Sequence, residues 1–362
     1  MAPARLVFAR EIGENQYMSS IANVKIHASQ FPENIRRDLL ASLRTRRVNH
    51  KFHYDSVKQT QKWLALHQAY SPARNDADCR AIYEQSFVAA AVLIKSRRVH
   101  VIGLGCGGGQ KDTRLQKLLK NRGKVVFYTP CDVSTAMVLT ARQTALAVVP
   151  EKNCFPLVCD LATANDLRKI IWEGRRADDP NHSGTAARRP SQKLVTFFGM
   201  IPNFEPEQIL PRLVSLVRPG DFLLFSANLA PGKDYAAGME QILPQYNNPL
   251  TRDWLMTFLD GLGIERRDGA LRFAVENGRF GLKRVVARFH FCRARQLEIE
   301  SEGFDFKSGD SIRLFFSYRY TLERVGAVLN RHGLKVRERW VGKSGEEGVF
   351  LVQRSGASAE RR

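Results

Sequence analysis

The chain has 362 residues, 44% of them hydrophobic and 25% charged, and a formal net charge of +20. That length exceeds one ordinary core and favours two lobes, and the composition is that of a globular chain, neither disordered nor fibrous. No apolar run approaches the ~18 residues that cross a bilayer, no apolar leader with a cleavage site opens the chain, and the six cysteines form no CxxC pair and no metal-ligand spacing, so the expectation is a cytoplasmic protein with free thiols and no metal.

In chain order, residues 1–19 read as a flexible end and residues 20–84 as mainly helical, with no place in a sheet. The run from Val99 to Lys111 is the most informative stretch. Apolar residues give way to five glycines in seven positions, Gly103, Gly105, Gly107, Gly108 and Gly109, and a helix-compatible stretch opens at Gln110. A buried first strand that turns sharply into a helix brings the backbone close to a ligand, and glycine removes the Cβ in the way. Such a turn serves NAD, FAD and S-adenosylmethionine (SAM) alike. No Gly-Lys-Ser/Thr follows, which excludes a P-loop.

Val125–Tyr128 reads as a second strand with Asp132 just beyond it, and Leu157–Cys159 as a third with Asp160 and Leu161 at its tip. An acid after the second strand can accept both hydroxyls of a ribose. One after the third suits an adenine amino group, with Leu161 against the ring. Either acid can also serve as a cap or turn residue. A helix is expected over 134–147, a surface loop over 174–193, a fourth strand over Leu194–Gly199, a helix over 205–217 and a fifth strand over Phe222–Ser226. Residues 234–319 leave this pattern. They open helical, with Trp254, Leu255, Phe258, Leu259 and Leu262 at helical spacing, and then give strands at 270–275, 283–291, 296–300 and 312–316. A helix over 321–332 and strands at 334–341 and 348–353 end the fold. A terminal hairpin closing a parallel sheet is typical of SAM methyltransferases and not of NAD dehydrogenases. The basic excess is spread thinly, in short clusters such as Arg44-Thr45-Arg46-Arg47 and Arg188-Arg189, which reads as a solvated surface with a polyanionic partner as the minor alternative.

Five segments in this order resemble the SAM-dependent, histidine-specific Nα-methyltransferase family of ergothioneine synthesis. They are Phe52-His53-Tyr54-Asp55, Tyr70-Ser71-Pro72-Ala73-Arg74, Gly105 to Lys111, Phe197 to Asn203, and Gly309-Asp310-Ser311-Ile312 with Ser317, Arg319 and Tyr320. The resemblance implies a class I SAM methyltransferase acting on a small-molecule acceptor. It puts Gly105, Lys111, Asp132 and Asp160 on family cofactor positions, beside Gly103, Gly107 and Leu161 from the loop and strand reading. It puts Asn203 on the residue that holds the acceptor's amino and carboxylate end, Tyr246 on a substrate tyrosine and Ser317 on a serine near the imidazole, with Tyr70 among the acceptor residues. Asn203 can equally cap the following helix, Tyr246 can be a core aromatic, and Ser317 a plain strand hydroxyl. One position departs. The family's imidazole-binding glutamate aligns with Phe315, which cannot accept a hydrogen bond.

The expected fold is therefore α/β, a Rossmann-like class I SAM methyltransferase sheet with a terminal antiparallel hairpin and an inserted α+β substrate lobe. The core spans 85–233 completed by 320–354, the lobe is 20–84 with 234–319, and residues 355–362 form a second flexible end. No protein group acts as nucleophile, acid or base; residues orient the acceptor only. The rival readings are a nucleic-acid methyltransferase and a non-catalytic SAM-binding protein.

Overall fold

A computed structural model describes residues 22–171 and 191–355. Its main sheet has eight strands in the order β1-β4-β3-β2-β5-β6-β13-β12. These are β1 (Lys25–Ile26), β2 (Arg98–Leu104), β3 (Val125–Asp132), β4 (Leu157–Val158), β5 (Gln192–Phe197), β6 (Phe222–Asn228), β12 (Leu334–Val341) and β13 (Glu347–Arg354). Strands β1 to β6 run parallel, and β13 enters antiparallel between β6 and β12. This is the expected parallel sheet closed by a terminal hairpin. The expected loop 174–193 and the expected flexible ends fall largely outside the described residues.

Near-continuous apolar strands mark a sheet covered on both faces. Val99 and Val101 of β2 point to one face, where they pack with Ile82, Tyr83 and Phe87 of helix α4 (Ala77–Leu93) and with Leu115 and Leu119 of α5 (Gln110–Asn121). Ile102 and Leu104 point to the other, against the helices Pro206–Leu216 and Leu322–Arg331. Between these layers the glycine loop leads from β2 into α5, and β3 leads into α6 (Thr135–Ala145). The expected helix and strand boundaries hold to within a few residues.

A second layer follows β6. The strands β7 (Gly269–Asn277), β8 (Lys283–Phe291) and β11 (Ser311–Arg319) form an antiparallel sheet, and β9 (Arg295–Ile299) pairs with β10 (Glu302–Phe306) as a hairpin. Leu271, Phe289 and Ile312 on one face of this sheet pack against Trp254, Leu255 and Phe258 of the helix Pro249–Asp260 and against α1 (Pro32–Thr45). Asn248 caps that helix by accepting from the Thr251 N–H at 2.9 Å, and Pro249 occupies its first turn, where no N–H is needed.

Three expectations change. Residues 20–84 do reach the main sheet, because Lys25 and Ile26 pair with Leu157 and Val158. Two residues are too short for any periodicity to announce a strand. Helix α4 runs through the expected boundary at residue 85 and packs wholly on the core, so the core begins by Ala77. Strand β10 was not expected, since Glu302-Gly303 opens it and breaks the apolar pattern.

Gly103 has a structural task. A Cβ there would lie 2.0 Å from Asp112 Oδ2 and 3.2 Å from the Tyr128 hydroxyl. The carboxylate cannot step aside, because Tyr128 donates to Oδ2 at 2.8 Å and Thr196 donates to Oδ1 at 2.7 Å. Burial raises the Asp112 carboxyl to about 6, against those two hydrogen bonds and Lys111, which lower it. A carboxyl raised by folding binds its proton more tightly folded than unfolded. Its contribution is complete below the ordinary carboxylate range and is lost as pH rises through about 6.

Two outcomes are expected. Gly103→Ala should cost about 1–3 kcal/mol through overpacking, read as a lowered urea midpoint; an unchanged midpoint would show that the Asp112 network yields freely. Asp112→Asn cannot ionise; its amide oxygen accepts from one of the two hydroxyls and its Nδ2–H donates to the other, which must turn. Relative to the parent it should gain stability between about pH 4 and pH 6 and keep that gain at about pH 7. A difference that stays constant across this window would mean that Asp112 does not titrate there.

Candidate active site

The carboxyl ends of the parallel strands open into a cavity of ≈ 760 Å³, within the range of sites that enclose a small organic ligand. Gly105, Gly107, Lys111, Asp132, Asp160 and Leu161 all line it. Gly103 does not. The expectation that it touches a ligand is corrected, since its missing side chain makes room for Asp112.

Asp132 ends β3 and organises the wall. Its Oδ2 accepts from the Gly107 N–H at 3.1 Å and its Oδ1 from the Ser134 N–H at 3.1 Å. The same carboxylate therefore fastens the glycine loop and the start of α6. Gly107 has φ 52°, a left-handed conformation that disfavours a side chain, and a Cβ there would point toward Trp63, 3.8 Å away across the cavity. Each Asp132 oxygen spends one lone pair on the backbone and keeps another. Burial raises this carboxyl, and the backbone N–H bonds of Ser134 and Gly107 oppose the rise. A diol held between the two oxygens would relieve that desolvation.

Asp160 is buried, and its own turn uses it: Oδ1 accepts from the Ala162 N–H at 2.8 Å and Oδ2 from the Thr163 hydroxyl at 2.9 Å. The turn reading thus holds, with the carboxylate and Leu161 still on the cavity wall. Lys111 places its ammonium 3.9 Å above the Tyr83 ring. Burial lowers its pKa, and Glu347 pulls the other way. An aspartate with free lone pairs, a side-chain-free loop and a cation on one wall fit the ribose and the amino-acid end of SAM.

The acceptor residues divide. Tyr70, at the end of α2 (Val57–Tyr70), is 52% exposed and sits at the mouth. Asn203 lines the cavity, and its side-chain amide makes no hydrogen bond among the described residues. Glu205, not Asn203, occupies the cap position of the helix Pro206–Leu216, so the capping alternative falls away.

Tyr246, Phe315 and Ser317 lie together but do not line the cavity. Tyr246 donates to Ser317 Oγ at 3.1 Å and accepts from Arg319 Nε at 3.1 Å, and its ring lies 6.2 Å from that of Phe315. The expectation of direct lining is corrected for these three. Strand β11, which carries Phe315 and Ser317, stands one side chain behind the cavity with Tyr246 of the helix Tyr235–Tyr246 beside it, and His50 fills the gap.

His50 is the residue the sequence did not single out. Its ring lines the cavity, 5.6 Å from Phe315 and 5.4 Å from Tyr54, whose hydroxyl hydrogen-bonds it at 3.2 Å. Burial, with a smaller push from His53, lowers it to about 3, so it is a neutral imidazole. Trp63 and His67 also face the cavity, stacked at 4.9 Å. Their four-residue spacing on α2 is the one signal that could have found them. Among the described residues no group of His, Cys, Asp or Glu could hold a metal ion. No helix there is long and apolar enough to cross a membrane.

A family model described as "Histidine-specific methyltransferase, SAM-dependent" matches residues 35–354. The N-methyltransferase imqF of Aspergillus flavus is 24% identical over 78% of this chain and 74% of its own. The histidine N-alpha-methyltransferase of Mycobacterium tuberculosis is 24% identical over 88% of this chain and 94% of its own. Solved structures align more loosely, as with the magnesium protoporphyrin IX methyltransferase of Synechocystis PCC 6803, at 12% identity, TM-score 0.41, 84% of this chain and 98% of that one.

Asp132→Ala removes both remaining acceptors and frees the glycine loop. Binding of SAM measured by calorimetry should fall below detection, while the unfolding midpoint drops only modestly. Undiminished affinity would exclude the ribose contact.

Proposed function

The chain belongs to the histidine-specific, SAM-dependent methyltransferase family, and from that premise we propose that it methylates the amino nitrogen of an amino-acid-like acceptor with an uncharged, apolar or aromatic side chain. The observation that carries this is the end wall of the cavity. Phe315 backs this wall with a ring that cannot accept a hydrogen bond, and the polar atoms in front of it, His50 Nε2 and the Tyr54 hydroxyl, are hydrogen-bonded to each other at 3.2 Å, where a histidine acceptor would need a partner for its N–H. Leaving such a group unpaired in a closed site costs about 1–3 kcal/mol.

SAM, when bound, supplies an activated methyl group on a sulfonium. The protein's part is orientation and exclusion of water. Asn203 offers both an amide donor and an amide acceptor, free of partners among the described residues, to the amino and carboxylate end of the acceptor. Tyr246 and Ser317, hydrogen-bonded to each other, hold β11 and hence the ring of Phe315 behind His50. The attacking nitrogen must carry a lone pair, so the acceptor reacts as the free amine. Transfer from the sulfonium to that nitrogen is a direct displacement and needs no protein nucleophile.

A screen for S-adenosylhomocysteine release over amino acids and their derivatives, with product masses, tests this. Aromatic or apolar amino acids should gain methyl groups, with histidine about tenfold poorer or worse in kcat/KM, as expected for one unpaired polar group. Asn203→Ala should lower kcat/KM about tenfold or more while SAM affinity stays unchanged. Histidine as the best acceptor would overturn the proposal.

A further inference from the structure

Four arginines far apart in the sequence lie side by side on one face of the β7-β8-β11 sheet, whose other end packs Phe316 and Tyr318 on the main core; Arg47 and Arg272 are exposed, Arg288 is half-buried and Arg313 is buried. Arg272 on β7 is paired with Arg288 on β8, Arg288 with Arg313 on β11, and Arg313 with Arg47 in the segment after α1. Directly opposed residues on neighbouring strands project to the same face, about 4.8 Å apart, so the row spans roughly 14 Å. Arg284, four residues before Arg288 on β8, shares that face. The opposite face is the apolar one, with Leu271, Phe289 and Ile312 packed on helices.

The charges on this face do not balance. Arg284 and Arg288 share Glu276, at 3.6 and 3.0 Å, and Arg284 also meets Glu205 at 2.9 Å. Among the described residues, Arg47, Arg272 and Arg313 have no carboxylate within ion-pair distance. Arg313 is held against the Phe316 ring at 4.9 Å. Burial first, and then Arg284, Arg47 and Arg288, push its pKa down to about 10. His290, on the same face, is lowered by burial and by Arg272 and Arg288. Like charges directly opposite one another destabilise a sheet. Arg47 and Arg272, exposed and without a counterion among the described residues, flank half-buried Arg288 and buried Arg313, on which Glu205 acts from beyond ion-pair distance, and an anion at this row would relieve the repulsion.

We propose that this face docks the phosphodiester backbone of a nucleic acid, without sequence preference. Every cation in the row is arginine, whose planar fork matches phosphate oxygens in pairs. The large exposed hydrophobic side chains of the described residues, among them Ile26, Phe31, Val57 and Val88, lie elsewhere. A protein partner would find no apolar centre to bury here, whereas a nucleic-acid backbone needs only cations. The net charge of +20 supplies the long-range attraction, and the row supplies the place. The inference is independent of which acceptor the enzyme methylates.

The test is fluorescence anisotropy of labelled single-stranded RNA and DNA with the full chain across a salt series. Arg47→Gln with Arg272→Gln removes the two exposed members of the row. Lys117→Gln with Arg122→Gln removes the same charge from the end of α5, on the core. The row pair should weaken binding at least tenfold and lower the salt slope by about 1.4, the contribution of two phosphate contacts on a single strand. The α5 pair should change affinity less than threefold, and both should keep the parent's rate of S-adenosylhomocysteine release. Equal losses from the two pairs, no binding by the parent at about 0.1 M salt, or tighter binding of polyglutamate than of nucleic acid would each overturn the proposal.

Discussion

One carboxylate holds the site together. Asp132 stands where β3 ends, and it accepts from the first turn of one helix region and from the loop that leads into another. The glycine loop, left-handed at Gly105, Gly107 and Gly109, is also tied by the Cys106 N–H, which donates to the Cys131 carbonyl at 3.1 Å. Tied to Asp132 it becomes a rigid wall, and the lone pairs left over face the cavity. Loop order and ligand recognition are thus one interaction: whatever loosens the loop also spoils the seat for a ribose. The layer beneath obeys the same economy. Gly103 gives up its side chain so that Asp112, Tyr128 and Thr196 can close a buried network directly under the loop.

The parallel core was legible because its physics is local. Strands such as Val99–Leu104 and Phe222–Ser226 are apolar but for His100 and Ser226, the glycines announce the turn, and Asp132 and Asp160 sit at strand tips. The wall residues of the cofactor end follow from those positions. What stayed hidden depends on contacts between distant segments. His50 carries no periodic signal, and only its meeting with Phe315, 265 positions later, makes it the end wall. Likewise the motif order places Tyr246 and Ser317 together but cannot show that a third side chain screens them from the cavity. Gly103 belongs to the same class. Its spacing marks it as part of a ligand loop, and its task is set by a helix residue nine positions on.

The arginine row makes the same point for charge. Along the chain the basic excess looks diffuse, since Arg47, Arg272, Arg288 and Arg313 come from four separate segments. Antiparallel register concentrates it. The lobe that shapes the acceptor end with its apolar face therefore presents cations on the other. The ring at position 315 and the cluster of guanidiniums on the opposite face are separate features, and each is carried by the same three strands.

The account rests on a donor seated between the glycine loop and the acid that ties it. A crystal structure of the complex with S-adenosylhomocysteine examines that most directly. The ribose hydroxyls should lie within hydrogen-bond distance of Asp132 Oδ1 and Oδ2, with the sulfur directed toward Asn203. A ligand bound outside this cavity, or one whose ribose lies away from Asp132, would contradict it.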